Sequence, residues 1–496
     1  MTTAPATPKA KPDNDSVFLR RVRPAGWQNP VARDVYDLAV IGAGPAGIAA
    51  AESAARLGFT VALIERNIVG GNSLNAGSVP SKALIKTARV YAALHELEAF
   101  GAPMPITPPL DFTKAMERKR RVLTRISEHH SVEKLAALGI DVFFGVARFD
   151  TADTVLIAGQ QLRFNKALVA TGARPQPPNF PGLDAIGYRT SATMFEIDDL
   201  PKRLAVIGGG PLGCEMAQAF CRLGAQVTIV QNDPKFLPRE ERDAAEILSR
   251  SMARDGVEIR LNTTVVGARA ADGVKILETT NDDVTCDIET DEVLLCIGRV
   301  PNVEDLGLAV AGIAFDQEHG VKTDDFLRTT NANVYAAGDV CMTLKFTNAA
   351  QAGGIMAVRN ALCSGQERLS RLTIPWCTYC DPEIGHVGLH VWEARQQSIP
   401  IKSFTVMMHD VDRGITDGLT TGFVKIHVAE GTDKILGATI VAPRASELIN
   451  EMSVIMSAGI GMNDLANIVH TYPAESGAIV LAARAYVRDQ AIFGKA

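Results

Sequence analysis

The first 213 residues of this 496-residue chain contain no cysteine; all eight, Cys214, Cys221, Cys286, Cys296, Cys341, Cys363, Cys377 and Cys380, lie beyond them. Thiol and disulfide chemistry is therefore excluded from the N-terminal part. Most of the cysteines read as small apolar fillers. No apolar run of about 18 residues occurs, nor the apolar region of a secretion signal, so no membrane association and a cytoplasmic location are expected. Long basic runs are absent as well and the net charge is −6. Nucleic acid and anionic membranes demand clustered Lys and Arg, so neither is an expected partner. No spacing of metal ligands stands out, the pair His129-His130 included, and no bound metal is expected. The basic cluster Arg118-Lys119-Arg120-Arg121 reads as a solvated helix face.

What the chain does contain is an internal near-repeat. Tyr36-Asp37-Leu38-Ala39-Val40-Ile41 reads as a short apolar strand entering Gly42-Ala43-Gly44-Pro45-Ala46-Gly47 and an Ala-rich helix that ends near Gly58. Leu204-Ala205-Val206-Ile207 runs in the same way into Gly208-Gly209-Gly210-Pro211-Leu212-Gly213 and a helix ending at Gly224, 166 residues further on. In each copy the first glycine permits the tight turn, the second lets a pyrophosphate approach the backbone, and the third lets helix pack on strand. One such pattern is weak evidence. Two copies in strand-turn-helix context predict an α/β chain with two Rossmann-like dinucleotide-binding domains.

The repeat also aligns its own cofactor selectors. Glu65, with Arg66 beside it, stands 23 residues after the first glycine of the first copy, where an acid accepts hydrogen bonds from ribose hydroxyls; this suits FAD. The same count in the second copy reaches Gln231, followed by Asn232 and Asp233. That is neither the acid that favours NAD(H) nor the arginine that clamps the 2′-phosphate of NADP(H), so both nucleotides stay open, with a tilt towards NADH.

Gly70-Gly71-Asn72-Ser73-Leu74-Asn75-Ala76-Gly77-Ser78-Val79-Pro80-Ser81-Lys82 strongly resembles the redox-disulfide motif of the FAD-dependent pyridine nucleotide-disulfide oxidoreductases, with Ser73 and Ser78 at its two cysteine positions. An alcohol cannot form a thiolate or be stored as a disulfide at neutral pH. Further segments resemble the same family. Ala170-Thr171-Gly172 looks like the turn that closes the FAD domain, Gly298 lies in the segment that returns from the NAD(P) domain, and Gly338-Asp339 looks like the second FAD motif, with Asp339 on the ribityl chain. The spelling of Pro24 to Pro30, Val79 to Ile85 and Lys345-Phe346-Thr347-Asn348 is most similar to the mercuric-reductase-like branch, although the C-terminus from Gln490 to Ala496 lacks that branch's vicinal cysteines.

Residues 1–33, Pro-, Ala- and Lys-rich at the start, are expected to form a poorly ordered extension. The resemblance implies an FAD-binding domain over 34–198 and 306–373, an NAD(P)-binding domain over 199–305, and an α+β interface and dimerisation domain over 374–496. It places Gly42, Gly44, Gly47, Glu65, Arg66, Gly71, Asn72, Ser73 and Lys82 at FAD, and Gly208, Gly210, Gly213 and Gln231 at the nicotinamide nucleotide. Lys82 and Glu215 keep the positions of an ion pair beside the flavin. Tyr472 and Gly477 stand where the family has its acid-base His and Glu; His470 and Glu475 would restore that dyad only through a two-residue slip. Cys377 falls on the nicotinamide side of the flavin, and on a strand Cys377 and Cys380 face opposite ways, beyond disulfide reach. The expected protein is a homodimeric NAD(P)H oxidoreductase that passes electrons from reduced flavin to a small-molecule acceptor such as a quinone, oxygen, a dye or a metal ion. The alternatives are a soluble pyridine nucleotide transhydrogenase and a flavin-binding pseudoenzyme or redox-sensing interaction protein.

Overall fold

The computed structural model describes residues 13–102, 110–282 and 284–493. Strands Tyr36–Ile41 and Val61–Glu65 are buried along nearly their whole length, which is why they read as unbroken apolar runs: a parallel sheet carries cover on both faces. They pair in parallel with Leu38 opposite Val61. Ile140–Phe144 extends the sheet on one side, and Gln160–Val169 followed by Val334–Ala336 on the other, also in parallel. The outermost strand thus arrives from late in the chain, after an inserted unit. Helices Pro45–Arg56 and Thr347–Leu362 pack closely over this sheet, because Gly354 has no side chain: a Cβ there would lie 2.3 Å from Ala46 O.

The inserted unit repeats the plan. Its parallel sheet runs Glu258–Arg260, Gln226–Val230, Arg203–Ile207, Glu292–Leu295, and an antiparallel ribbon from Thr264 to Thr290 stands beside it. From Trp376 onward five antiparallel strands form a third sheet, with helices Ala445–Ser457 and Gly477–Phe493 packed on it. Among the described residues no helix is long and apolar enough to cross a membrane.

Two expectations need correction. The segment expected to be poorly ordered is, from Asp13 on, a structured appendage; residues 1–12 lie outside the described residues. Helix Asp13–Val22 packs on helix Phe112–Ile126, with Val22 fully buried and Arg21 donating to Thr124 O. Trp27 and Asn29 then hydrogen-bond the backbone of the Ile140–Phe144 edge strand. The Pro- and Lys-rich composition belongs to the first dozen residues, whereas Phe18, Val22 and Trp27 supply apolar anchors. Nor is the basic cluster a solvated face. Lys119 is buried, donates to Phe195 O, and is pushed down to about 8 by that burial; Arg118 donates to Ala83 O.

Candidate dinucleotide and redox site

Both glycine turns use their glycines in the same way. Gly42 and Gly208 sit at φ 109° and 104°, and a Cβ on either would lie 2.4 Å from the carbonyl oxygen of Ala170 or Cys296. Gly47 and Gly213 let their helices settle on the turns: a Cβ would fall 1.8 Å from Gly42 O and 2.1 Å from Gly208 O. The middle glycines differ. Gly210 faces open space, whereas Gly44 meets the Gly70-Gly71 turn, a Cβ on Gly71 lying 2.7 Å from Gly44 Cα.

Glu65 and Gln231, found by counting, are structural counterparts. Ala43 N donates to Glu65 Oε2 at 3.0 Å, and Gly209 N donates to Gln231 Oε1 at 2.7 Å. An amide oxygen holds the turn as well as a carboxylate does, which is how Gln is accommodated in the second copy. Glu65 also accepts from Asn67 N, and its burial pushes its pKa up. Each carboxylate oxygen keeps a second lone pair for a ribose hydroxyl. Beside it opens a cavity of ≈ 470 Å³ lined by Gly42, Arg66, Thr171, Arg174 and Glu304. Thr171 and Asn302 bond reciprocally across its floor, and Arg174 grips Glu304 with two bonds of 2.9 and 2.7 Å. This acid-lined, glycine-walled cleft fits the adenosine end of FAD.

Ser73 and Ser78 both turn toward one residue that sequence reasoning gave no role, Thr347, at the start of helix Thr347–Leu362. Their Oγ atoms lie 2.8 and 3.4 Å from Thr347 Oγ1. Asn72 Nδ2 donates to Ala173 O at 2.6 Å, just past Gly172, and Ala170 N donates to Ile41 O. Lys82 Nζ lies 2.7 Å from Glu215 Oε2 and 4.2 Å from the Tyr379 ring centroid. Glu215, 4% exposed, accepts from Tyr379 N through its other oxygen. Tyr379 is the second residue missed; its only sequence signal was its place next to Cys380. Asp339 pairs with Arg299 at 2.7 Å, and Gly298, Gly338 and Gly172 all adopt positive φ around this junction.

Other predicted residues stand apart. Cys377 lies on strand Trp376–Thr378, Cys380 just beyond it, and both are free thiols whose burial holds their pKa well above the usual value. Tyr472 is 81% exposed, with its hydroxyl donating to Asp412 at 2.8 Å. His470 and Glu475 do not meet: His470 Nε2 is 2.5 Å from Glu451 Oε1, and Glu475 is held by Arg444 at 2.8 Å. Cys286 and Cys363 are exposed, against the filler reading.

A dinucleotide fold interrupted by a second copy of itself, closed by an antiparallel sheet domain, defines a flavin- and nicotinamide-linked oxidoreductase. The chain belongs to the pyridine nucleotide-disulphide oxidoreductase family, whose model matches residues 36–365, with the family's dimerisation domain over 374–483. It is 31% identical over 457 residues to mercuric reductase of Staphylococcus aureus (92% of this chain, 83% of the relative), and 33% identical over 460 residues to dihydrolipoyl dehydrogenase of Thermus scotoductus (92% and 98%). Among solved structures it resembles the Cu(II) complex of a cysteine-to-serine mutant of RclA, an HOCl-induced flavoprotein disulfide reductase of Escherichia coli. There the TM-score is 0.80 and the identity 28%, covering 90% of this chain and 98% of that one. Proteins of this family bind FAD and NAD(P)H, and the present chain is a flavoprotein that dimerises through its C-terminal domain.

Gly44→Trp is expected to yield a folded but colourless protein, because an indole at Gly44 collides with Gly71 and fills the pyrophosphate approach. A far-ultraviolet spectrum like that of the parent, together with loss of the flavin absorption bands, checks it; retained flavin contradicts it.

Proposed function

We propose that this protein is an NAD(P)H oxidoreductase whose reduced flavin hands electrons directly to a non-disulfide acceptor. The observation that supports the reading is the hydroxyl cluster in which Ser73 and Ser78, at the positions that resemble the family motif's two cysteines, both turn toward Thr347. Hydroxyls at neutral pH have no oxidised form to hold two electrons. The Lys82–Glu215 pair supports the hydride-accepting half. Lys82, fixed by Glu215 and the Tyr379 ring, brings the positive charge that steadies an anionic reduced flavin.

Cys377 acts as a packing thiol on the nicotinamide side, kept protonated by its burial. Tyr472 does not replace a base: Asp412, accepting a hydrogen bond from its hydroxyl, raises its pKa. With no arginine from Asn232 to Lys235, NADH is the expected reductant. Quinones, oxygen, dyes and metal ions all accept electrons at an exposed flavin edge. The Cu(II) complex of the RclA cysteine-to-serine mutant favours including metal ions. Anaerobic stopped-flow reduction with NADH and NADPH, then reoxidation against an acceptor panel, tests the proposal. Flavin reduction followed by rapid reoxidation by at least one of these acceptors is expected. Efficient NADH-to-NADP⁺ transfer would establish the transhydrogenase instead, and a flavin that neither nucleotide reduces would leave a pseudoenzyme.

A further inference from the structure

The arm from Val22 to Asn29 lies outside the family match, which begins at residue 36, yet it bonds both rims of the cleft that fits the adenosine end of FAD. On one rim Arg23 Nη1 donates to Arg66 O at 3.2 Å and to Asn67 O at 2.5 Å, and Val69 N donates to Val22 O at 3.0 Å. On the other rim Asn29 takes both backbone groups of Phe144: its Nδ2 donates to Phe144 O at 2.9 Å, and its Oδ1 accepts from Phe144 N at 2.8 Å. Between the rims the Arg23 guanidinium lies 5.2 Å from the centroid of the Phe144 ring, and the Trp27 indole meets that ring edge-on at 6.3 Å. The cleft is lined by Glu65, Arg66 and Gly145 and by no residue of the arm, which grips the rims from outside.

Both grips end on Glu65. A carbonyl and the N–H that follows it share one rigid peptide plane, so a bond made to the oxygen fixes the direction of the N–H. The peptide between Arg66 and Asn67 accepts from Arg23 on its oxygen and donates its N–H to Glu65 Oε1 at 2.8 Å. The peptide between Phe144 and Gly145 accepts from Asn29 on its oxygen and donates its N–H to Glu65 O at 2.9 Å. Glu65 is thus held by its side chain through one peptide and by its main chain through the other, and the arm anchors each. Hydrogen bonds in such a chain polarise one another, so the cation at Arg23 strengthens Asn67 N–H as a donor to the carboxylate.

Covering the open edge of strand Ile140–Phe144 accounts for Trp27 and for the paired bonds of Asn29. It does not account for Arg23, whose two acceptors lie in the turn beyond strand Val61–Glu65. Nearer the family match the chain makes a different contact: Arg33 pairs with Asp141 at 2.7 Å, three residues before Phe144 on that strand.

We propose that the arm is a cofactor clamp, in which Arg23 and Asn29 are positioning residues that fix Glu65 for the adenosine ribose and so set how long FAD stays bound. The clamp is independent of which acceptor the reduced flavin meets.

The test uses the full chain with its FAD. It is heated stepwise while free FAD is recovered by ultrafiltration and quantified, and the far-ultraviolet signal follows unfolding. In Arg23→Leu and Asn29→Ala, FAD release should move to lower temperature further than unfolding does, so that the gap between the two midpoints widens. Under native conditions both variants should lose FAD roughly five- to tenfold faster than the parent, the effect of about one net hydrogen bond. Exchange of the Asn67 and Gly145 amides should quicken. Arg23→Lys, which keeps a cationic donor, should recover part of the loss, and Arg33→Leu, which removes an exposed ion pair, should keep the parental dissociation rate. An arm that only covers the sheet edge makes FAD release and unfolding fall together in Asn29→Ala and leaves both unchanged in Arg23→Leu. Either result overturns the clamp, as does Arg33→Leu losing FAD as fast as Arg23→Leu. Should Asn29→Ala fail to fold, Arg23→Leu, a change at an exposed side chain, decides alone.

Discussion

Supplied with NADH and offered glutathione disulfide, lipoamide or Hg²⁺, the protein is expected to turn over far below the roughly 10 per second typical of enzymes. Each of these substrates needs a thiolate to exchange with or to ligate, and Ser73 and Ser78 offer hydroxyls whose nearest partner is another hydroxyl, Thr347. Reductive titration should correspondingly consume two electrons per FAD, with no long-wavelength thiolate-to-flavin band. Uptake of four electrons would mean that a disulfide elsewhere takes part, with Cys377 and Cys380 the first to be replaced by serine. Restoring Ser73→Cys together with Ser78→Cys is expected to leave disulfide turnover low. Tyr472, bonded to Asp412, supplies no base, and His470 and Glu475 are engaged with Glu451 and Arg444.

Lys82→Met is expected to slow flavin reduction by about 10²-fold, the lower end of what removing one preorganised charge-stabilising group costs. The substitution also strands Glu215, a buried carboxylate that then keeps only the Tyr379 N–H. A lower thermal midpoint should therefore accompany the slower rate. Glu215→Gln, which keeps the hydrogen-bonding shape and leaves Lys82 its charge, should lose less. Rapid-mixing traces at saturating NADH separate the two variants; a Lys82→Met flavin that is reduced at the parental rate would remove Lys82 from the hydride step.

The two glycine turns, Glu65 and Gln231 were legible because their geometry is local: a strand, a turn and a helix within some thirty residues repeat their chemistry at fixed spacing. The Lys82–Glu215 pair was legible only through resemblance, since 133 residues separate the partners. Nothing local marked Thr347, which meets Ser73 across 274 positions because its helix returns to the first sheet after the inserted unit. Lys119 looked solvated for the same reason, since helical periodicity does not show what packs on a face.

The sequence by itself determined that each glycine turn stands between a strand and a helix, that two dinucleotide folds are present, and that no sulfur stands in the Gly70–Lys82 motif. Only the tertiary structure decided which hydroxyls share a partner, that His470 and Glu475 stay apart, and that Asn29 meets Phe144 across 115 positions. Those outcomes depend on long-range packing, where burial removes water and leaves each polar atom with whatever partner the fold brings to it.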